Sequence, residues 1–404
     1  MRNIILFDDS VRENFLPLTY TRPVAEIRVG ILTIREKWEQ VLEGKASFIT
    51  QDYLSDKFEI NIEEDNFVIN GSVLPSAQLK RLILQLEPNQ ALLENGDLIA
   101  TRLSRRQFHS LMEEEELEEL HGFELEDTEY LRVKNSWEIF SKNEQALLAD
   151  FEMITKDRTS QPLSDTNRTI GEHPIFLEEG AKVEFATLNT TKGPIYIGKN
   201  AEIMEGALVR GPLAMCENSI LKLGAKVYGA TTLGPYCKIG GEVSNIVAFG
   251  YSSKGHDGYL GNSVLGEWCN LGADTNSSNL KNNYADVRLW NYPSERFLNT
   301  GLTFCGLIMG DHSKCGINTM FNTGTVVGVF ANIFGSGFPR NFVPSYAWGG
   351  AGGYSTYKFS KACEVAEKVM ARRNKELNDQ DKAILQNVFE NSTNFRRWDK
   401  TNEA

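Results

Sequence analysis

The chain has 404 residues, more than one hydrophobic core normally serves, so at least two units are expected. A formal charge of −12 argues against a general nucleic-acid binder, which needs a basic stripe to displace counterions; any anionic substrate must be held by local cations. The hydrophobic share of 41% is ordinary globular composition. The opening Met1-Arg2-Asn3 runs directly into Ile4-Ile5-Leu6-Phe7, too short an apolar run for a secretion signal or a membrane span, so a cytoplasmic protein without membrane association is expected. Cys216, Cys237, Cys269, Cys305, Cys315 and Cys363 lie far apart with no C-x-x-C pair, and they read as small buried thiols, not disulfides or zinc ligands.

From residue 1 to about 100, short apolar runs (Asn3–Phe7, Phe67–Asn70, Leu98–Ala100) alternate with helical patterns such as Ile34–Leu42 and Ala77–Leu86. That alternation predicts an α/β domain over residues 1–155 with a mainly parallel sheet. The acidic run Glu113–Glu119, flanked by Leu111, Leu117 and Leu120, reads as the solvated face of a helix. Residues 156–169 mix Ser, Thr, Asp and Asn without periodicity and mark a linker.

From residue 170 to about 350 the pattern changes. An aliphatic residue recurs at every sixth position: Ile197, Ile203, Val209, Met215, Leu221, Val227, Leu233 and Ile239. Four positions after each comes a mostly small residue, from Ala201, Ala207 and Leu213 to Thr231, Cys237 and Val243. The register returns at Met309, Cys315, Phe321, Val327 and Ile333, with Ser313, Thr319, Thr325, Ala331 and Gly337 at the corner position. A helix repeats apolar residues at three and four and a hairpin sheet alternates, so neither fits. The period is that of a hexapeptide-repeat β-helix, in which stacked triangular coils bury the aliphatic ladder. Tyr284–Thr300, with Trp290, Tyr292, Pro293 and Phe297, interrupts the hexads; an insertion the solenoid does not need is expected to serve function or assembly. Residues 354–404 carry helical patterns, Phe359–Leu377 and Asp379–Phe389, expected to cap the open end of the solenoid or dock on a neighbouring subunit.

The run from Lys254 through Gly255-His256-Asp257-Gly258-Tyr259-Leu260-Gly261-Asn262 is followed by Asn270-Leu271-Gly272-Ala273-Asp274-Thr275, and then by Ser278-Asn279-Leu280-Lys281. An amine attacks a thioester only as the free base, so a base must take a proton as the C–N bond forms, and an imidazole suits that task. This block resembles the acetyltransferase half of the bifunctional UDP-N-acetylglucosamine pyrophosphorylase/glucosamine-1-phosphate N-acetyltransferases, with their H-x-x-Y-x-G-D, N-[IL]-G-A-G-T and downstream Asn. The resemblance implies a left-handed β-helix, His256 as general base, Tyr259, Asn270 and Asn279 as acceptor-binding residues, and Gly272 and Ala273 beside acetyl-CoA; Lys281 joins the acceptor-binding residues as a nearby cation. Asp274, Asn262 and Leu280 depart from the pattern. Ser244 stands where the family has a Lys for the sugar phosphate, leaving Arg210, Lys238, Lys254, Lys281 and Arg288 as candidates for that charge.

Near the N-terminus, Phe7-Asp8-Asp9-Ser10-Val11-Arg12 and then Leu16-Pro17-Leu18-Thr19-Tyr20-Thr21-Arg22-Pro23 look like the opening of sugar-1-phosphate nucleotidylyltransferases. There a glycine-rich turn cradles triphosphate and Arg and Lys neutralise it. The resemblance places Arg12 and Arg22 at cationic positions and Asn70-Gly71 at the end of the central strand as nucleotide-binding residues. Asp8 and Asp9 replace the glycines; paired carboxylates repel triphosphate unless a metal bridges them, so they are the candidate Mg²⁺ ligands.

Together these readings give an α/β nucleotidyltransferase-like (Rossmann-like) domain followed by a left-handed parallel β-helix acyltransferase. Such a cytoplasmic homotrimer would use a sugar 1-phosphate, an NTP such as UTP, and acetyl-CoA, and make UDP-N-acetylglucosamine or a related nucleotide sugar. The alternatives are a single one of the two activities, or a non-catalytic trimeric scaffold. A β-helical carbonic anhydrase needs three His ligands from neighbouring coils; the spacing of His173, His256 and His312 does not match.

Overall fold

The computed structural model describes residues 1–112 and 120–399; the acidic run Glu113–Glu119 lies outside the described residues. Two compact units emerge. The first comprises Met1–Phe15, Arg22–Ile27 and Leu32–Lys134, and the second Leu16–Thr21, Arg28–Ile31 and Asn135–Ala404. The division by packing falls at Lys134. The helix Asn143–Thr155 groups with the solenoid because the Asn143 amide donates to the Ala230 carbonyl at 2.9 Å and to the Thr232 hydroxyl at 3.1 Å.

The first unit holds a six-stranded sheet of β1 (Arg2–Phe7), β2 (Gly44–Ile49), β3 (Asp65–Asn70), β4 (Gln90–Glu94), β5 (Asp97–Ser104) and β6 (His121–Glu124). Their spatial order is β2-β1-β3-β5-β4-β6. β1 pairs parallel with β2 and β3, but β5 runs antiparallel to both β3 and β4. β4 pairs parallel with β6, so the sheet is mainly parallel, as expected, with β5 as its reversed strand. The cause is local: Asn95 and Gly96 take φ of 52° and 83°, the left-handed pair that turns a two-residue hairpin. Helix Ile34–Leu42 begins with a reciprocal capping box between Thr33 and Glu36, which satisfies otherwise orphaned N–H groups. It buries Trp38 completely, whose indole N–H donates to the Val73 carbonyl at 2.8 Å.

The second unit is a parallel β-helix with three strand columns. One inward ladder runs Leu188, Val209, Val227, Val243, Leu260, and a second runs Ile197, Met215, Leu233, Ala248, Leu265, Met309, Val327. The third runs Ile203, Leu221, Ile239, Lys254 and resumes with Leu271, Cys315, Ile333. Each predicted aliphatic position from Ile197 to Ile239 is no more than 3% exposed. The small corner residues from Ala201 to Val243 are also buried. Gly337 departs from the expected register: it is exposed, because no first-column strand forms between Asn332–Ile333 and Phe342–Val343.

The insertion leaves the coil at Leu280, whose bridge to Phe304 closes its base. It folds as an antiparallel hairpin of Arg288–Asn291 with Arg296–Asn299. At the C-terminal end, helix Asp379–Asn391 covers the last coil: the fully buried Tyr346 donates its hydroxyl to the Leu385 carbonyl at 2.8 Å. All six cysteines are free and buried. No described helix is long and apolar enough to cross a membrane.

Candidate functional site

In the solenoid, the third column brings the chain through Ser253–Lys254 into the turn that carries His256, whose side chain is exposed. The coil is short here: eighteen residues separate Leu221 from Ile239, but fifteen separate Ile239 from its partner Lys254. That slip places a lysine in the aliphatic ladder. Lys254 is 1% exposed, and its ammonium donates to the carbonyls of Gly240 at 3.0 Å and His256 at 2.9 Å. Burial pulls its pKa down to about 8, against the pull of Asp257 and Asp274. Lys254 thus pins the His256 turn from inside and is not an outward-facing cation.

Past the turn, Tyr259 and Asn279 meet. The Asn279 amide donates to the Tyr259 hydroxyl at 2.9 Å and to the Asn262 Oδ1 at 2.8 Å. Burial pushes the Tyr259 hydroxyl up, with the Asn279 donation acting against it, so it works as a neutral phenol. Gly261 makes this arrangement possible: a Cβ there would clash with the Tyr259 hydroxyl and lie 2.6 Å from Asn279 Nδ2. Asn262 is one rung of an asparagine ladder. It adopts φ 47°, as Asn245 adopts 53°, a left-handed corner that Asn tolerates. With the Asn245 amide oriented to satisfy its neighbours, its oxygen accepts from Asn262 Nδ2 at 3.0 Å.

Asn270 sits exposed on the third column, where its register partners are Ser253 and Lys314. Gly272 has a packing reason for its identity, since a Cβ would run into the Gly316 backbone of the next coil. Ala273 is half-buried and its carbonyl accepts from Asn318 N at 2.8 Å. Lys281 stands at the start of the insertion, its ammonium on the Asp286 carbonyl at 2.6 Å. His312 is a rung of an aromatic stack, 4.5 Å from Phe330 and 6.2 Å from Trp268 between ring centroids. Among the described residues no three His, Cys, Asp or Glu side chains gather to hold a metal.

In the α/β unit the predicted residues converge at the C-terminal ends of β1 and β3. Asp8 accepts from Val24 N at 2.8 Å and from the Thr50 hydroxyl at 2.6 Å, and burial raises its pKa against these bonds and the Arg12 charge. Asp9 accepts from Asn70 Nδ2 at 2.7 Å and Arg132 Nη2 at 2.8 Å. Arg12 is buried and donates to the Tyr53 hydroxyl at 2.8 Å. Arg22 is also buried, and Gly71 N donates to the Phe7 carbonyl at 2.8 Å. Both carboxylates are thus filled by protein donors, so the protein alone offers no ready-made Mg²⁺ site. Sequence reasoning missed Arg132, which also reaches Asp97 at 2.7 Å and Ser72 at 3.1 Å; nothing in its local sequence marks it.

With this geometry in view, residues 4–159 match the sugar nucleotidyl transferase family model. Among curated relatives, this chain is 27% identical over 208 residues to the bifunctional sugar-1-phosphate nucleotidylyltransferase/acetyltransferase of Sulfurisphaera tokodaii, covering 50% of this chain and 51% of that one. It is 24% identical over 226 residues to the bifunctional protein GlmU of Synechococcus elongatus, covering 50% and 46%. It is 38% identical over 73 residues to GlmU of Methanocaldococcus jannaschii, covering 18% and 17%. The chain spans about half the length of the first two relatives. All are named as bifunctional proteins, and nucleotidyltransferases and acetyltransferases are both transferases. Among solved structures, the polySia-specific acetyltransferase NeuO overlaps with a TM-score of 0.29 at 12% identity, covering 51% of this chain and 100% of that one.

Proposed function

We propose that the solenoid transfers an acetyl group from acetyl-CoA to the amine of an amino-sugar 1-phosphate, with glucosamine 1-phosphate as the first candidate. The observation that carries this reading is the contact of Tyr259 with Asn279 over Gly261, next to the turn that exposes His256. His256 takes the amine proton as nitrogen attacks the thioester carbonyl. The C–S bond then breaks, and the CoA thiolate leaves and is reprotonated. Tyr259, Asn279 and Asn270 orient the acceptor, and Gly272 and Ala273 border the acyl chain. In the α/β domain the phosphate of the N-acetylated sugar 1-phosphate then attacks the α-phosphorus of UTP, the α–β phosphoanhydride bond breaks and pyrophosphate leaves, giving a UDP-N-acetylglucosamine-like product in a cytoplasmic homotrimer. If Mg²⁺ accompanied the phosphates it would neutralise their charge, and Asp8 or Asp9 would have to release a protein donor to hold it.

A second reading retains acetyl transfer alone. It is favoured by the donors that already fill Asp8 and Asp9. Product analysis with UTP, acetyl-CoA and a panel of amino-sugar 1-phosphates separates the two. N-acetylated sugar phosphate without nucleotide sugar supports the second, and neither product rejects both. Sedimentation of the active protein as a monomer rejects the trimer.

A further inference from the structure

A cavity of about 1070 Å³ opens beside the inserted hairpin. Its walls come from three places: the hairpin, the last coils of the solenoid, and the segment after helix Asp379–Asn391. Its charge is one-sided. Among the described residues, Lys281, Arg288, Arg340 and Arg397 line it against one carboxylate, Glu295, in a chain of net charge −12. Lys281 and Arg288 spend hydrogen bonds on the carbonyls of Asp286 and Phe297, which leaves their charge uncancelled. Among the described residues neither Arg340 nor Arg397 has a carboxylate within ion-pair distance.

The remaining walls are of two kinds. One is the glycine-rich turn Gly350-Ala351-Gly352-Gly353. Gly353 needs glycine for its φ of 127°, but a Cβ at Gly352 would meet nothing within 4 Å, so packing does not explain that glycine. A bare backbone beside a cationic cavity lets phosphate oxygens approach peptide N–H groups. The other is aromatic. Trp290 stacks on Phe342 at 4.3 Å, and Trp398 lies 5.5 Å from Tyr354 with its indole N–H held by Thr356 at 2.9 Å, so both indoles are fixed in place.

Guanidinium groups and exposed backbone recognise phosphate, and rigid aromatic walls accept a planar ring. We propose that this cavity binds the phosphates and base of a nucleotide, a site separate from the α/β domain. The proposal does not rest on acetyl transfer by His256. Two sources share this chemistry: a uridine nucleotide, and the adenine nucleotide end of CoA.

The test is photo-crosslinking of the full chain with 5-azido-UTP and, separately, with CoA bearing an 8-azidoadenine. The expected result is label from one or both probes in peptides spanning residues 340–354 or 394–398, competed by the unlabelled parent. Replacing the exposed pair as Arg340→Ala/Arg397→Ala should cut that label at least about tenfold, as expected for lost charge-assisted phosphate contacts. Label within residues 1–134 and the melting temperature should stay unchanged. Whichever probe labels identifies the source. Absence of label from both peptides at millimolar probe, or undiminished label in the double variant, overturns the proposal.

Discussion

The Tyr259 hydroxyl accepts a hydrogen bond from the Asn279 amide at 2.9 Å across twenty residues of chain, and the contact exists because Gly261 has no side chain beneath it. Tyr259 therefore keeps its hydroxyl proton to give to an acceptor oxygen. Tyr259→Phe should raise KM for the acceptor more than it lowers kcat, by roughly tenfold, the cost of about one hydrogen bond. Gly261→Ala should lose more than either partner's removal. Steady-state kinetics against acceptor concentration checks both; an unchanged KM in Tyr259→Phe counts against the binding role.

Ile203 stacks between Val183 and Leu221 in the third column and is 1% exposed. Ile203→Asp buries a carboxylate with no partner and should cost more than about 4 kcal/mol. Denaturant unfolding followed by circular dichroism should show the solenoid lost. Unchanged melting would remove the ladder as the source of stability.

Lys254 gives a pH signature. Its folded-state pKa of about 8 lies below the value of about 10.4 for an unfolded lysine. The unfolded chain therefore binds more protons between those values, and this group makes stability rise with pH from about 8 to about 10.4. Below pH 8 the charged form is carried at full cost. Lys254→Met removes the slope, so wild type should gain on the variant as pH climbs through that window. The variant should also lose activity at neutral pH, because the carbonyls of Gly240 and His256 lose their donor. Melting curves at pH 7, 8.5 and 10 read the first effect; parallel curves for the two proteins would refute it.

Arg132 bonds Asp9, Asp97 and Ser72 while its side chain is 5% exposed. Removing one partner of a buried pair strands the other charge, so Arg132→Met should destabilise the α/β unit by roughly 2–4 kcal/mol. It should also leave Asp9 freer to take a divalent cation. Calorimetric titration of UTP with and without Mg²⁺ should then show greater metal dependence in the variant. An Arg132→Met protein of unchanged stability and metal response would mean that the Asp9 contact carries little.

The solenoid was legible because every inward position from Ile197 to Ile239 must be apolar in a stack buried on three sides, and that demand leaves a period of six. It stopped being legible where coil length changes. Lys254 occupies the inward position after Ile239, and a charged residue fifteen positions on looks like a break in register, not a rung. Tyr259 and Asn279 were named through their motif, but the reason for Gly261 appears only when the three residues lie over one another. In the α/β unit the strands at Arg2–Phe7 and Asp65–Asn70 were readable as apolar runs. The antiparallel β5 was not, because its direction is set by two residues, Asn95 and Gly96. The donors that fill Asp8 and Asp9 come from Val24, Thr50, Asn70 and Arg132, distant in sequence and brought in by tertiary packing.

The most direct measurement is acetyl-CoA consumption with glucosamine 1-phosphate by wild type and His256→Ala, with melting temperature and CoA affinity recorded on the same preparations. Because the side chain is exposed, its removal should leave folding and CoA binding nearly intact while turnover falls roughly 10²–10⁴-fold, the range for loss of a general base. Equal turnover by the two proteins would contradict the assignment of His256 as the base.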